Sequence, residues 1–239
     1  MSDATPTVVL VHGAFADASS WNGVIERLQA QGVPVIAPAN PLRGIAHDSA
    51  YTAAVFEQIE GPVLAVGHSY GGAVISNAAT DAKNVVGLVY VAAFAPEEGE
   101  TLGAAEANSK DSVLNSALVP HHFPSNGGES VEFAIDPAKV REAFASDLPD
   151  EQVALIGATQ RPIAEAAFSE KTGPPAWKNL PTWAVVATGD KAAGADLVRS
   201  MAQRAGANII EVEGSHVIMI SQPEAVTDVI LEAIDAVAS

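Results

Sequence analysis

The sequence predicts a doubly wound α/β fold: one parallel sheet buried on both faces, flanked by helices and carrying an inserted cap. Three observations point there. Short apolar runs rich in Val and Ile alternate with helix-length patterns, and Gly or Pro punctuates the junctions. Helical crossovers between such runs make parallel neighbours, because a tight hairpin cannot join parallel strands. The alternation breaks only between about residues 95 and 181, where Pro120, Pro124, Pro137, Pro149, Pro162, Pro174 and Pro175 interrupt it.

Six strands are expected in chain order. Val8-Val9-Leu10-Val11 opens the series and leads through Gly13 to a helix near Ser20 to Gln31. Val33-Pro34-Val35-Ile36-Ala37 follows, then a helix near Asp48 to Ile59. Val63-Leu64-Ala65-Val66 runs into Gly67, with a helix from Tyr70 to about Thr80. Val85 to Ala92 is the fourth run. Trp183 to Ala187 is the fifth, followed by a helix near Ala195 to Ala205. Asn208 to Val212 is the sixth, and a last helix spans about Pro223 to Val237. The stretch at 95–181 reads as a mostly helical cap, with short helices at Pro137 to Ser146, Asp150 to Ile156 and Ile163 to Phe168; a structureless loop that long would be unusual. The division is therefore a core at 1–94 and 182–239, with the cap at 95–181.

Composition narrows the function. The 239 residues hold 12 Lys+Arg and 29 Asp+Glu, a net charge of −17, which disfavours nucleic acid and anionic membrane surfaces as partners. Cysteine is absent, so disulfides, thiolate catalysis and cysteine metal sites are excluded. No apolar run approaches the length of a membrane span. Met1-Ser2-Asp3-Ala4-Thr5-Pro6 shows neither a basic nor an apolar leader region, so a cytoplasmic location is the expectation.

One motif carries chemistry. Gly67-His68-Ser69-Tyr70-Gly71-Gly72 follows an expected strand and opens an expected helix, the context of a G-x-S-x-G nucleophile elbow. Its turn pushes the Ser69 hydroxyl out above a helix N-terminus, and Gly67 and Gly71 must be small for strand and helix to come that close. The hydroxyl needs a base. His216, in Glu213-Gly214-Ser215-His216, sits past the last strand at the same sheet edge. His12 and His68 belong to tight turns and read as loop supports. His121 and His122 are adjacent and read as surface or pocket-lining residues, without the carboxylates of a metal site. Asp190, after the fifth run, is the acid that would orient the base, with Glu97 or Glu98 as the rival; Asp196 reads as a helix cap. Oxyanion donors are expected at the backbone N–H groups of Tyr70 and Ala14, with Phe15 and Val217 lining the pocket.

The His12-Gly13-Ala14 loop, the Gly67 to Gly72 elbow, Asp190 and Gly214-Ser215-His216 together resemble the α/β-hydrolase-fold serine hydrolases. The likeness is to the compact branch of plant methyl-ester hydrolases, hydroxynitrile lyases and related bacterial esterases. It implies an α/β-hydrolase fold: a six-stranded, mostly parallel sheet with helices on both faces and an inserted helical cap. Lyases of that branch carry Lys after the histidine and Thr before the oxyanion-loop residue; Val217 and Gly13 stand there instead. Esterase chemistry is therefore expected: Ser69, Asp190 and His216 acting through an acyl-enzyme, no cofactor and no metal, on a small-molecule ester with a hydrophobic part. Lyase or C–C bond hydrolase chemistry, or a non-catalytic small-molecule receptor, are the alternatives. Lys191-Ala192-Ala193-Gly194 lacks the bulky apolar residues usual after the acid, which predicts a looser loop.

Overall fold

The computed structural model describes residues 5–125 and 127–238. The leader reading above rests on residues 1–4 in part, and these, with Asn126, lie outside that range.

The core is a six-stranded, all-parallel sheet of β1 (Thr7–Val11), β2 (Val35–Ile36), β3 (Val63–His68), β4 (Val85–Val91), β8 (Thr182–Ala187) and β9 (Asn208–Val212). Its order is β2-β1-β3-β4-β8-β9. Every residue of β3 and β8 is buried, as expected where helices cover both faces. All six expected strands are present, although β2 shrinks to two residues at the sheet's edge.

The crossover helices are α1 (Asn22–Ala30), α2 (Ile45–Glu57), α3 (Tyr70–Ala78), α8 (Ala195–Arg204) and α10 (Pro223–Ala238). α2 and α3 pack on each other, and α3 lies against β1, β3 and β4; α1 packs on α10, which lies against β3, β4 and β8. Strand order reverses after β2, since β1 feeds outward to the edge and β2 returns across β1 to β3. Right-handed crossovers running in opposite directions place their helices on opposite faces and leave a crevice beyond the C-terminal ends of β1 and β3. Those two ends carry His12-Gly13-Ala14 and Ser69.

The segment between β4 and β8 contains the expected helices and also strands that the sequence reading missed. α4 (Leu102–Glu106) comes first, then β5 (Leu118–Ser125) and β6 (Gly128–Ile135), a hairpin in exact antiparallel register from Leu118–Ile135 to Ser125–Gly128. α5 (Val140–Ala143), α6 (Asp150–Thr159), β7 (Ile163–Ala164) and α7 (Ala166–Ser169) follow. The helix expected at Ile163 to Phe168 thus begins as a strand, paired to β6 at Glu132 and Phe133. Pro120 and Pro124 are accommodated because β5 is the edge of this small sheet. α9 (Ile218–Ser221) is a single short turn between β9 and α10.

Fixed contacts tie this insertion to the core. Arg204 forks onto Glu100 at 2.6 and 2.7 Å and also donates to the Ala95 carbonyl. The Ala164 N–H donates to Leu42 O, and the Phe15 N–H to Arg161 O.

Candidate active site

Ser69 leaves β3 with φ +52° and ψ −121°, a left-handed conformation that non-glycine residues rarely adopt. Backbone hydrogen bonds over-determine it: its N–H donates to Val91 O, and its carbonyl accepts from Gly72 and Phe94. The glycines are obligatory for steric reasons. A Cβ on Gly67 would lie 2.6 Å from the carbonyl carbon and oxygen of Gly71. One on Gly71 would strike the Val11 carbonyl oxygen. Gly13, on the β1 loop, faces the Ser69 side chain so closely that a Cβ there would sit 2.7 Å from Ser69 Cβ.

His216 and Asp190 meet across the ends of β9 and β8. The imidazole Nδ1 lies 2.8 Å from Asp190 Oδ2, and both side chains are almost wholly buried. The other carboxylate oxygen accepts from the N–H groups of Ala192 (2.9 Å), Ala193 (3.1 Å) and Gly194 (3.4 Å). The loop expected to be loose is therefore a backbone cradle, and small residues are what let three consecutive N–H groups turn onto one oxygen. A carboxylate only accepts, so Nδ1 carries the hydrogen and Nε2 keeps its lone pair. Asp190 rather than Glu97 or Glu98 is the acid at His216; Glu97 pairs with Lys178 at 2.5 Å on the outside. Asp196 does not cap α8, whose N-cap is Gly194; its carboxylate instead takes Ser109 Oγ and the Lys110 N–H.

Ser69 and His216 line one small enclosed cavity of about 10 Å³ together with Ala14, Phe15 and Tyr70. The insertion roofs it with Leu102, Leu114, Phe144 and Phe168. The Phe144 ring centroid lies 5.2 Å from that of His216.

The other two buried histidines do support loops, as expected. His12 Nε2 accepts from the Asn40 N–H at 2.9 Å, so its Nδ1 donates to Gly13 O, and Asn40 Nδ2 returns a bond to His12 O. Burial lowers the His12 pKa, partly offset by the Gly13 bond. His68 Nε2 donates to the His216 carbonyl at 3.0 Å, and its ring stands 4.7 Å from the His216 ring. Burial, with His216 facing it, holds His68 well below the ordinary histidine value. Val217 is buried beside His216, and Trp21 is fully buried.

Several participants escaped the sequence reading. Tyr70, besides lining the cavity, donates its hydroxyl to Asp48 at 2.8 Å, and burial followed by this carboxylate raises its pKa. Asp147 reaches from the insertion to the Ser215 N–H at 3.0 Å and to Ser215 Oγ at 2.5 Å. Burial would raise the Asp147 pKa, but these bonds from Ser215 outweigh it and the net shift is downward. Phe144 and Asp147 lie in a polar stretch with no local motif, so only the folded insertion reveals them.

A fold with a serine on a strand-to-helix elbow, and a buried His–Asp pair at the same sheet edge, defines the α/β-hydrolase class. The chain belongs to the alpha/beta hydrolase family, whose profile matches residues 8–229. It is 25% identical to the alpha/beta hydrolase nvfD of Aspergillus novofumigatus, over 95% of this chain and 96% of that protein. Its fold is that of polyneuridine aldehyde esterase (TM-score 0.80, 20% identity, 96% of this chain and 99% of that one). It is equally that of the methylesterase MES16 from Arabidopsis (TM-score 0.78, 18% identity, 97% and 99%). The resemblance to plant methyl-ester hydrolases drawn from the motifs holds at the level of fold.

Proposed function

We propose that the protein is a carboxylic ester hydrolase using Ser69 as nucleophile, His216 as base and Asp190 as its orienting acid, with the segment 95–181 acting as a cap over the site. The observation that carries this reading is the buried 2.8 Å Asp190–His216 bond on the same cavity as Ser69. Membership of the family and the esterase names of the two structural neighbours support it.

In this mechanism His216 Nε2 takes the Ser69 hydroxyl proton as Oγ attacks the ester carbonyl. Asp190 stabilises the imidazolium. The carbonyl oxygen becomes an oxyanion received by the backbone N–H groups of Tyr70 and Ala14. Ala14 is assigned over Phe15 because the Phe15 N–H is already committed to Arg161 O. The imidazolium then gives its proton to the leaving alcohol, and water repeats the sequence on the acyl-enzyme. A missing oxyanion donor costs about 2.7–4 kcal/mol of barrier, so this loop matters as much as the side chains. None of these steps requires a cofactor or metal.

The test is hydrolysis of p-nitrophenyl acetate and butyrate by wild type and Ser69→Ala, with fluorophosphonate labelling read by mass spectrometry. Turnover and a single adduct on Ser69, both lost in the variant, are expected. Absence of an adduct would point to the receptor reading.

A further inference from the structure

We propose that the enzyme takes esters of a short acyl group with a bulky, apolar alcohol, and that the alcohol lies in an open groove between α1 and α6. The proposal rests on the esterase reading above and goes beyond it by giving each half of the ester its place. Two volumes of very different size adjoin the site. The cavity at Ser69 holds only about 10 Å³, room for about one water. A groove of about 330 Å³ begins on the other side of Phe15 and Phe144, which line both spaces and meet edge to face at 6.1 Å.

The chemistry decides which half goes where. The leaving oxygen must receive its proton from His216, so the alcohol departs on the imidazole's side. That side leads to the groove: Val217 and Ile220, just after His216 in the chain, line it, and the Phe144 ring packs on the imidazole. The opposite side is closed by Phe94, Leu102, Leu114 and Phe168. An acyl group there is limited to one or two carbons unless those side chains move. The groove runs on to Leu155, which is 61% exposed although it is a large aliphatic residue on the face of α6 that lines this space. Asp17 lies at the groove's rim, which disfavours an anionic alcohol. The acyl group passes to Ser69 Oγ as the ester C–O bond breaks. The alcohol leaves with the proton that His216 took from Ser69.

An isomeric pair of unactivated esters reads the assignment: (2-naphthyl)methyl acetate, with the ring on the alcohol, and methyl 2-naphthylacetate, with the same ring on the acid. The expected kcat/KM favours the acetate by about tenfold or more, the scale of discrimination that apolar pockets achieve. Leu155→Asp, and independently Thr159→Trp, which fills the groove from an exposed position, should each shrink that ratio toward one. 2-Naphthylmethanol should slow fluorophosphonate labelling of wild-type Ser69 and lose that effect in both variants. Labelling without protection, or a ratio that favours the acid-side ring or is unchanged in both variants, overturns the groove assignment while leaving the serine hydrolase intact. Loss of labelling itself overturns both.

Discussion

Replacing Asp190 by Asn changes one atom, and the structure fixes which way the new amide must face. Oδ1 accepts three backbone N–H groups while Oδ2 accepts one imidazole N–H. An amide has one acceptor and one donor end. Turning its NH₂ toward the cradle would set two donors against three N–H groups and leave several of them unpaired, at about 1–3 kcal/mol for each buried group. Turning its NH₂ toward His216 disturbs only one bond, and the imidazole adapts by moving its hydrogen from Nδ1 to Nε2. The second arrangement wins by several kcal/mol on these magnitudes. The fold then survives, but Nε2 presents a hydrogen to Ser69 instead of a lone pair. Activity should fall about 10⁴-fold, the loss known for this change in another serine hydrolase and equivalent to about 5.4 kcal/mol. The assay is kcat for p-nitrophenyl acetate, with the urea midpoint measured beside it. An Asn variant that keeps activity within tenfold of wild type, or that unfolds, would refute the reasoning.

Three further outcomes follow from named contacts. Buried, neutral His12 and His68 have pKa values below their unfolded value, so the unfolded chain binds more protons and stability must fall as pH drops below about 6.5, by up to about 1.4 kcal/mol per unit for each histidine; urea midpoints equal at pH 7.5 and 5.5 would contradict this. Gly67→Ala forces a Cβ against the Gly71 backbone and should lower Tm by about 6–12 °C, corresponding to roughly 3 kcal/mol in a domain of this size, checked by thermal unfolding. Asp147→Asn weakens the anchor on Ser215 next to His216 and should lower kcat about ten- to a hundredfold, with KM and Tm changed far less; an equal loss of Tm would make Asp147 merely structural.

The core was legible because its signals are local. A buried parallel strand such as Val63–His68 reads as a continuous apolar run, and the elbow glycines read as a motif because backbone sterics leave no other residue there. Asp190 and His216 were found from strand ends and chain order. The hairpin at Leu118–Ser125 and Gly128–Ile135 was missed for the opposite reason. Its first strand is mostly exposed and holds two prolines, so neither alternation nor propensity marks it; pairing to its neighbour makes it a strand. Leu102, Leu114 and Phe144 were missed because they meet over Ser69 only once the insertion has folded back. Asp196 was read as a cap from its position in sequence, whereas its oxygens are taken by Ser109 and Lys110.

Three histidines crowd the strand ends, yet the mechanism needs a cation on only one of them. His216 alone has a carboxylate on its ring, so protonation there creates an ion pair with Asp190. His68 stands 4.7 Å away, where a second positive charge would oppose the imidazolium and weaken His216 as a base. Its surroundings forbid that charge. Nε2–H is held by the His216 carbonyl, and Nδ1 is buried without a hydrogen-bond partner, so a proton added there would be a second buried donor with nothing to receive it. Neutral His68 therefore anchors the backbone of the base without competing for its proton. His12 does the same for the oxyanion loop, its Nε2 already occupied by the Asn40 N–H. The basicity of residue 216 is set as much by these two silent rings as by Asp190.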